Sequence, residues 1–285
     1  MVTYDCESRL RQFNKNEFLS IGYTYASIAV VGSVLNIFAL YCFWKTRHTR
    51  RTAPTNQILL SLNLHDTINC VVFIPISAGV HLSQTTNCIA HTVYVSTGIY
   101  SLWYSSFLVL LIAVHRYNKV TTLSLDSQAV QMKRLTRINM AGLGIIVLAS
   151  LALGILPVPS KTTGAANTVA IILTMIILPI VYFKLVRVLR ASQQRVQSNR
   201  SNQINNKITI NVLILMTCYF MCNILLFVIA ILIITKQVQA NIFFLAKIGV
   251  IMLSCTSCIN PFIYLFREAS YKKLIKSMFC NNDSR

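Results

Sequence analysis

The sequence predicts an all-α membrane protein, a seven-transmembrane-helix bundle followed by a short amphipathic eighth helix. Three observations carry this expectation. Of 285 residues, 55% are hydrophobic and only 12% charged, against about 25% charged in an average soluble domain. The apolar residues gather into runs such as IGYTYASIAVVGSVLNIFALYCFW (Ile21–Trp44), longer than the roughly 20 residues a helix needs to cross a bilayer core. The 26 Lys and Arg, which give a formal net charge of +19, fall almost wholly between those runs. In a soluble chain such a charge would point to nucleic acid. In the connections that flank membrane spans it points to control of topology, and no nucleic-acid partner is expected.

Seven apolar stretches follow in order by window hydropathy: Phe18–Trp44, Gln57–Leu82, Ile89–Val114, Ile138–Val158, Val169–Val186, Ile208–Ile234 and Ile242–Phe266. Runs of this length are too long for barrel strands, and in lipid a helix satisfies its own backbone groups. Residues 1–17 are polar and mixed in charge, with no cleavable leader pattern, so the first run reads as a signal-anchor. If the N-terminus is outside, the cytoplasmic connections collect Lys45, Arg47, Arg50 and Arg51, then Arg116, Lys119, Lys133, Arg134 and Arg137. Lys184, Arg187, Arg190, Arg195, Arg200 and Lys207 follow, and finally Arg267, Lys272, Lys273, Lys276 and Arg285. Only Arg9, Arg11, Lys15, Lys161, Lys236 and Lys247 fall on the other side. This asymmetry predicts a multi-pass protein with its N-terminus outside and its C-terminus cytoplasmic.

The fifth stretch continues into FKLVRVLRASQQRVQSNR, a helix emerging into the cytoplasm before a short polar loop. After the seventh, FREASYKKLIKSMFC sets Phe266, Tyr271, Leu274, Ile275, Met278 and Phe279 largely on one face against Arg and Lys, as in an interfacial helix. Cys280 at its end is a candidate palmitoylation site, an unmodified thiol being the alternative. With no internal repeat or Pro- or Gly-rich linker, the chain divides into an extracellular segment (1–17), a transmembrane domain (18–266) and a tail (267–285). The outer connections are too short to hold a separate ligand-binding module.

An ionisable group inside a membrane is costly and marks a candidate functional site. Asp66, in NQILLSLNLHDTINC, is the one acid well inside a span, and Asn36 of GSVLN and Asn260 of SCINPFIY are amides in otherwise apolar helices. Two readings stay open for this trio: a polar glue between helices, or a cation or proton site that shifts between two bundle states. Arg116 closes the third stretch in VLLIAVHRYNKV, where snorkelling toward lipid phosphates is the bland alternative. Pro261 removes a backbone hydrogen bond from the seventh and forces a kink.

Asn36, the LSLNLHD run ending at Asp66, His115-Arg116-Tyr117, Tyr182 before its basic extension, and Asn260-Pro261-Phe262-Ile263-Tyr264 stand in one order and spacing. In this the chain resembles the rhodopsin-like (class A) G-protein-coupled receptors along nearly its whole length. The resemblance implies a receptor, not an enzyme, that passes an extracellular or membrane-borne ligand signal at the plasma membrane to a heterotrimeric G protein, with arrestin as a further partner. It implies that Asp66, Ser105, Thr256, Ser257 and Asn260, with Asn36 beside them, form an internal sodium-ion pocket. It also implies that Arg116 contacts the G protein, that Tyr182 and Tyr264 turn inward on activation, and that Tyr271 is the aromatic beyond the last motif.

The departures carry weight of their own. His115 stands where the family has an acid before the arginine, which predicts raised or pH-dependent basal activity. The sixth stretch reads Cys218-Tyr219-Phe220-Met221, without the family's tryptophan or proline, so its toggle falls to Tyr219. The fourth has no tryptophan, and Pro179 comes later than the family's usual proline in the fifth. The segment PVPSKTTGAANTV lacks the family's bridging cysteine, leaving Cys6 and Cys88 as the candidate outer disulfide. Cys42, Cys70, Cys218, Cys222, Cys255 and Cys258 read as packing residues.

The outer half of the bundle is the expected ligand pocket. Gly98 stands where amine receptors carry an aspartate, and Ser254 where opsins carry the retinal-linking lysine, which argues against a monoamine and against a retinal cofactor. The candidate lining is Tyr94, Gly98, Tyr100, Leu102, Tyr219, Asn223, Lys247, Met252 and Ser254, a set that suits a lipid, a small acid or a short peptide. No cofactor beyond a sodium ion is expected. The competing classes are a non-coupling or decoy receptor, a zinc-dependent membrane hydrolase built on His65, His81 and His91, and a transporter; the last two need convergent ligands or repeats that the sequence does not display.

Overall fold

The computed structural model describes residues 15–45, 54–83, 88–121, 128–155, 160–195, 200–235 and 242–267. They form seven long helices and, among the described residues, no strand: α1 (Lys15–Lys45), α2 (54–83), α3 (Cys88–Thr121), α4 (Gln128–Ile155), α5 (Ser160–Arg195), α6 (Arg200–Ile234) and α7 (Ile242–Arg267). All seven contain a segment long and apolar enough to cross a membrane. The expected amphipathic helix of the tail, with Tyr271 and Cys280, and Cys6 in the N-terminal segment, lie outside the described residues.

Several helices run past the apolar stretches that announce them. Apolar residues end near Val114, yet α3 continues to Thr121, and α6 begins at Arg200, ahead of Ile208. Hydropathy marks where lipid touches a helix, whereas helical hydrogen bonding persists into water. The two apolar faces separate by depth in the bundle. Val30 and Leu148 expose 67% and 70% of their surface and face outward, as lipid contacts do, while Leu108, Ile112 and Ala113 of α3 are buried. These α3 residues share a core with Leu62 of α2, Leu178 and Leu185 of α5, Leu215 and Met216 of α6, and Leu253 and Ile263 of α7. Helix α3 is therefore the central strut. It packs against α2, α4, α5 and α6, while α1 closes the bundle between α2 and α7.

Helix α2 is not uniform. Between Pro54–Ile68 and Ile74–Ser83 it widens into a π turn at Asn69–Phe73, where the Ile74 N–H bonds the Asn69 carbonyl. Pro75 follows directly. Its ring offers no N–H and would press on the carbonyl four residues back, so an inserted residue relieves the conflict.

In lipid, helices gain little from burying apolar surface against one another, so small residues and interhelical hydrogen bonds hold them together. Gly32 of α1 illustrates the first: a Cβ there would collide with the Cys70 sulfur and lie 2.9 Å from the Cys258 sulfur. A polar seam between α2, α3 and α4 illustrates the second. Tyr104 Oη donates to Asn139 Oδ1 (3.1 Å), Asn139 Nδ2 donates to Ser61 Oγ (3.0 Å), and Gln57 Nε2 donates to Thr136 Oγ1 (2.8 Å). This seam anchors a fourth helix that lacks a tryptophan.

Candidate functional site

The polar centre is assembled from α1, α2 and α7. Asp66 is fully buried. Ser257 Oγ donates to Asp66 Oδ1 at 2.9 Å and Asn260 Nδ2 donates to Asp66 Oδ2 at 2.8 Å. Ser257 and Asn260 are three residues apart, which puts both on one face of α7. Asn36 Nδ2 donates to the Ser257 carbonyl (2.7 Å) and to its own helix at Gly32 (2.9 Å), drawing α1 onto the same point. Asn69 Nδ2, at the start of the π turn, lies 3.1 Å from His65 Nε2 and 3.4 Å from Ser257 Oγ. Ser257 is thus the hub on which three helices meet.

Ser105 and Thr256 are also buried, but their hydroxyls donate within their own helices, to the Leu102 carbonyl (3.2 Å) and the Leu253 carbonyl (2.6 Å). Among the described residues no basic side chain pairs with Asp66, whose bonded partners are the neutral Ser257 and Asn260. The side-chain oxygens of Asn36 and Asn69 are buried without a hydrogen-bond donor. A buried carboxylate calls for a balancing cation or a proton. The surplus of oxygen acceptors around it is the donor set a hard cation takes.

His65, entertained above only as a zinc ligand, stands between rings. It is edge-on to Tyr104 (4.9 Å, 83°) and Tyr100 (5.4 Å, 69°). Its neighbours are aromatic and amide, and among the described residues no group of three His, Cys, Asp or Glu is arranged to hold a metal. His81 sits apart, among the rings of Phe18, Tyr25 and Tyr94.

At the other end of α3, Arg116 is only 2% exposed. It is held in the bundle and does not snorkel to lipid. His115 and Tyr117 beside it are half-buried, as is Tyr182 on α5. Tyr219 on α6 is buried and hydrogen-bonds Ser106 of α3, and Asn223 Nδ2 donates to the Tyr219 carbonyl (2.8 Å). Pro261 and the backbone of Tyr264 lie within α7. The Tyr264 and Cys88 side chains are outside the described residues, and Cys42, Cys70, Cys218, Cys222, Cys255 and Cys258 are not in disulfides.

Toward the opposite end lies a cavity of about 270 Å³. Tyr94, Gly98, Leu102 and Ser254, four of the residues expected to line a pocket, line it. Of the others, Tyr100 packs on Phe73 (5.4 Å, 81°), and Lys247 holds its ammonium 4.1 Å from the centre of the Phe18 ring. Tyr219, Asn223 and Met252 are likewise not part of the lining. Tyr25, Phe73, Ser77, Asn167 and Leu226 complete the wall from α1, α2, α5 and α6. Ser101 and Val250 were within reach of sequence reasoning, since helical spacing puts them beside Gly98 and Ser254. The residues from the other four helices carried no such signal.

A bundle of seven membrane-length helices around a buried carboxylate defines a multi-pass membrane protein with an internal polar core. Residues 157–264 match the family model described as 7 transmembrane receptor (rhodopsin family). The matched residues take in α5, α6 and most of α7, and over that part the chain is similar to the rhodopsin-type seven-helix receptors. No curated protein matches the chain.

Proposed function

We propose that this chain is a plasma-membrane receptor, N-terminus outside, in which a ligand held in the outer cavity shifts the bundle between two states and opens a cytoplasmic cleft to a G protein. The observation that carries this reading is the burial of Arg116 at the cytoplasmic end of α3. Burying an arginine is costly, and an ionisable group held inside a membrane protein marks a functional position by default.

The route from cavity to cleft is short. Leu102 lines the cavity, and its carbonyl accepts from Ser105 and from Ser106 (2.6 Å). Ser106 in turn bonds Tyr219 of α6. On α7, Leu253 and Ser254 line the cavity, one turn before Ser257 of the polar centre. A ligand that binds one arrangement of these contacts better than the other biases the equilibrium by that difference. A sodium ion beside Asp66 would stabilise the resting arrangement, held by the Asp66 carboxylate with Ser257 and the buried amide oxygens. Arrestin is proposed to share the cleft.

The test is basal G-protein activation in cells expressing wild type and Arg116→Ala at matched surface levels, across reporters for the main G-protein classes. A wild-type signal abolished by the substitution is expected. A silent wild type that stays silent when cavity ligands bind would favour the non-coupling reading, which His115 and the altered sixth helix keep in view.

A further inference from the structure

We infer that the outer cavity takes a small, uncharged ligand that donates a hydrogen bond, an aliphatic alcohol or a phenol, and not an acid, an amine or a peptide. The inference rests on the receptor reading for its physiological meaning, although binding itself is measured without it.

Three observations converge. No residue lining the cavity carries a charge: of seventeen, nine are Phe, Ile, Leu or Val, six bear hydroxyls and one is an amide. A carboxylate or ammonium entering it would lose water and gain no counter-charge. Lys247, the one cation among the expected pocket residues, stacks on the Phe18 ring and is not part of the wall.

Several of the polar atoms that line the cavity are acceptors, beside the hydroxyls of Tyr25, Tyr94 and Ser101, which can donate as well as accept, so a ligand hydroxyl meets both kinds of partner. The hydroxyls of Ser77 and Ser254 donate to carbonyls of their own helices, at Phe73 (3.0 Å) and Val250 (2.9 Å), and Thr97 does the same at Val93 (2.8 Å). Their protons are spent and their oxygen lone pairs remain. Asn167 Oδ1, also in the wall, is buried with no hydrogen-bond donor. A buried acceptor without a protein donor is costly, and a ligand that brings a proton donor relieves it.

Size completes the argument. A volume of about 270 Å³ falls at or below the small end of ligand pockets, roughly 300–1,000 Å³, and has no room for a peptide.

The experiment uses the full chain in lipid nanodiscs, with cyclohexylmethanol as probe and ligand-observed NMR as readout. Its methyl ether, cyclohexanecarboxylate and cyclohexylmethylammonium are the comparison set. Gly98→Phe is the blocking variant: a Cβ at Gly98 meets nothing within 4 Å, and because Gly98 lines the cavity a bulky side chain there takes up its volume. Thermal unfolding verifies that each variant is intact.

Saturable binding of the alcohol is expected, lost in Gly98→Phe and weakened about tenfold in Asn167→Leu, one hydrogen bond's worth. The ether and both charged analogues should bind at least about tenfold more weakly. A charged analogue or the ether binding as tightly as the alcohol would overturn the inference. So would alcohol binding that survives Gly98→Phe, or no saturable binding of the alcohol up to its solubility limit. Binding as expected without G-protein activation would instead count against the receptor reading and leave the ligand class standing.

Discussion

Ser257 and Asp66, 191 residues apart in the chain, are joined by a 2.9 Å hydrogen bond from the serine hydroxyl to the carboxylate. That bond fastens α7 to the π-turned α2, and the Ser257 carbonyl simultaneously accepts from Asn36 of α1. Removing the hydroxyl in Ser257→Ala leaves Asp66 with Asn260 alone. A hydrogen bond to a charged group contributes about 1.5–3 kcal/mol, so Ser257→Ala should lower the thermal unfolding midpoint in detergent. Asn36→Ala should interact non-additively with it, because both lean on the same residue.

Sodium should stabilise the wild type in the same assay, against potassium at equal ionic strength. A site filled at a hundred times its Kd adds about 2.7 kcal/mol. Asp66→Asn keeps the shape but removes the charge, and the sodium-dependent shift should vanish. An unchanged shift in that variant would remove the ion from the polar centre.

The Ser106–Tyr219 hydrogen bond ties α3 to α6 just beneath the cavity. Tyr219→Phe deletes it. Loss of one bond of about 0.5–1.5 kcal/mol moves a two-state equilibrium roughly two- to twelvefold. Basal G-protein activation should rise by that order, and Ser106→Ala added to Tyr219→Phe should raise it no further.

His115 occupies the position before Arg116 and cannot form the charge pair an acid would. His115→Asp should therefore lower basal activation at matched surface expression. Equal signalling from the two proteins would show that the neighbouring position does not restrain Arg116.

Gly32→Ala should destabilise the bundle by roughly 1–3 kcal/mol, the usual cost of overpacking. The added methyl would press on the Cys70 sulfur and approach the Cys258 sulfur to 2.9 Å. Cys70→Ala in the same chain should recover part of the loss, which a general helix-propensity effect would not permit.

The chemistry of the polar centre was partly legible in the chain. Asp66, Asn36 and Asn260 stand out because a polar group in an apolar run has nowhere to go but toward another. Ser257 is less conspicuous, since serines occur throughout membrane helices, yet it is the hub. Its role arises from the depth at which α7 meets α2, a distance that no spacing within α7 encodes. His65 likewise offered metal chemistry on paper, and only the rings of Tyr100 and Tyr104 across the α2–α3 interface assign it a packing role.

What the sequence determined by itself is the class of object: seven apolar runs of membrane length, basic residues gathered between them, and one acid that lipid would not tolerate unaccompanied. These follow from transfer free energies summed along a chain, which need no knowledge of neighbours. What only the tertiary structure decided is which polar atoms find partners. It held Arg116 inside the bundle, turned Lys247 onto Phe18, and left Asn167 facing a cavity with an acceptor and no donor. Hydrogen bonds and excluded volume act over a few ångströms between helices far apart in sequence, so they exist only once the seven helices have packed.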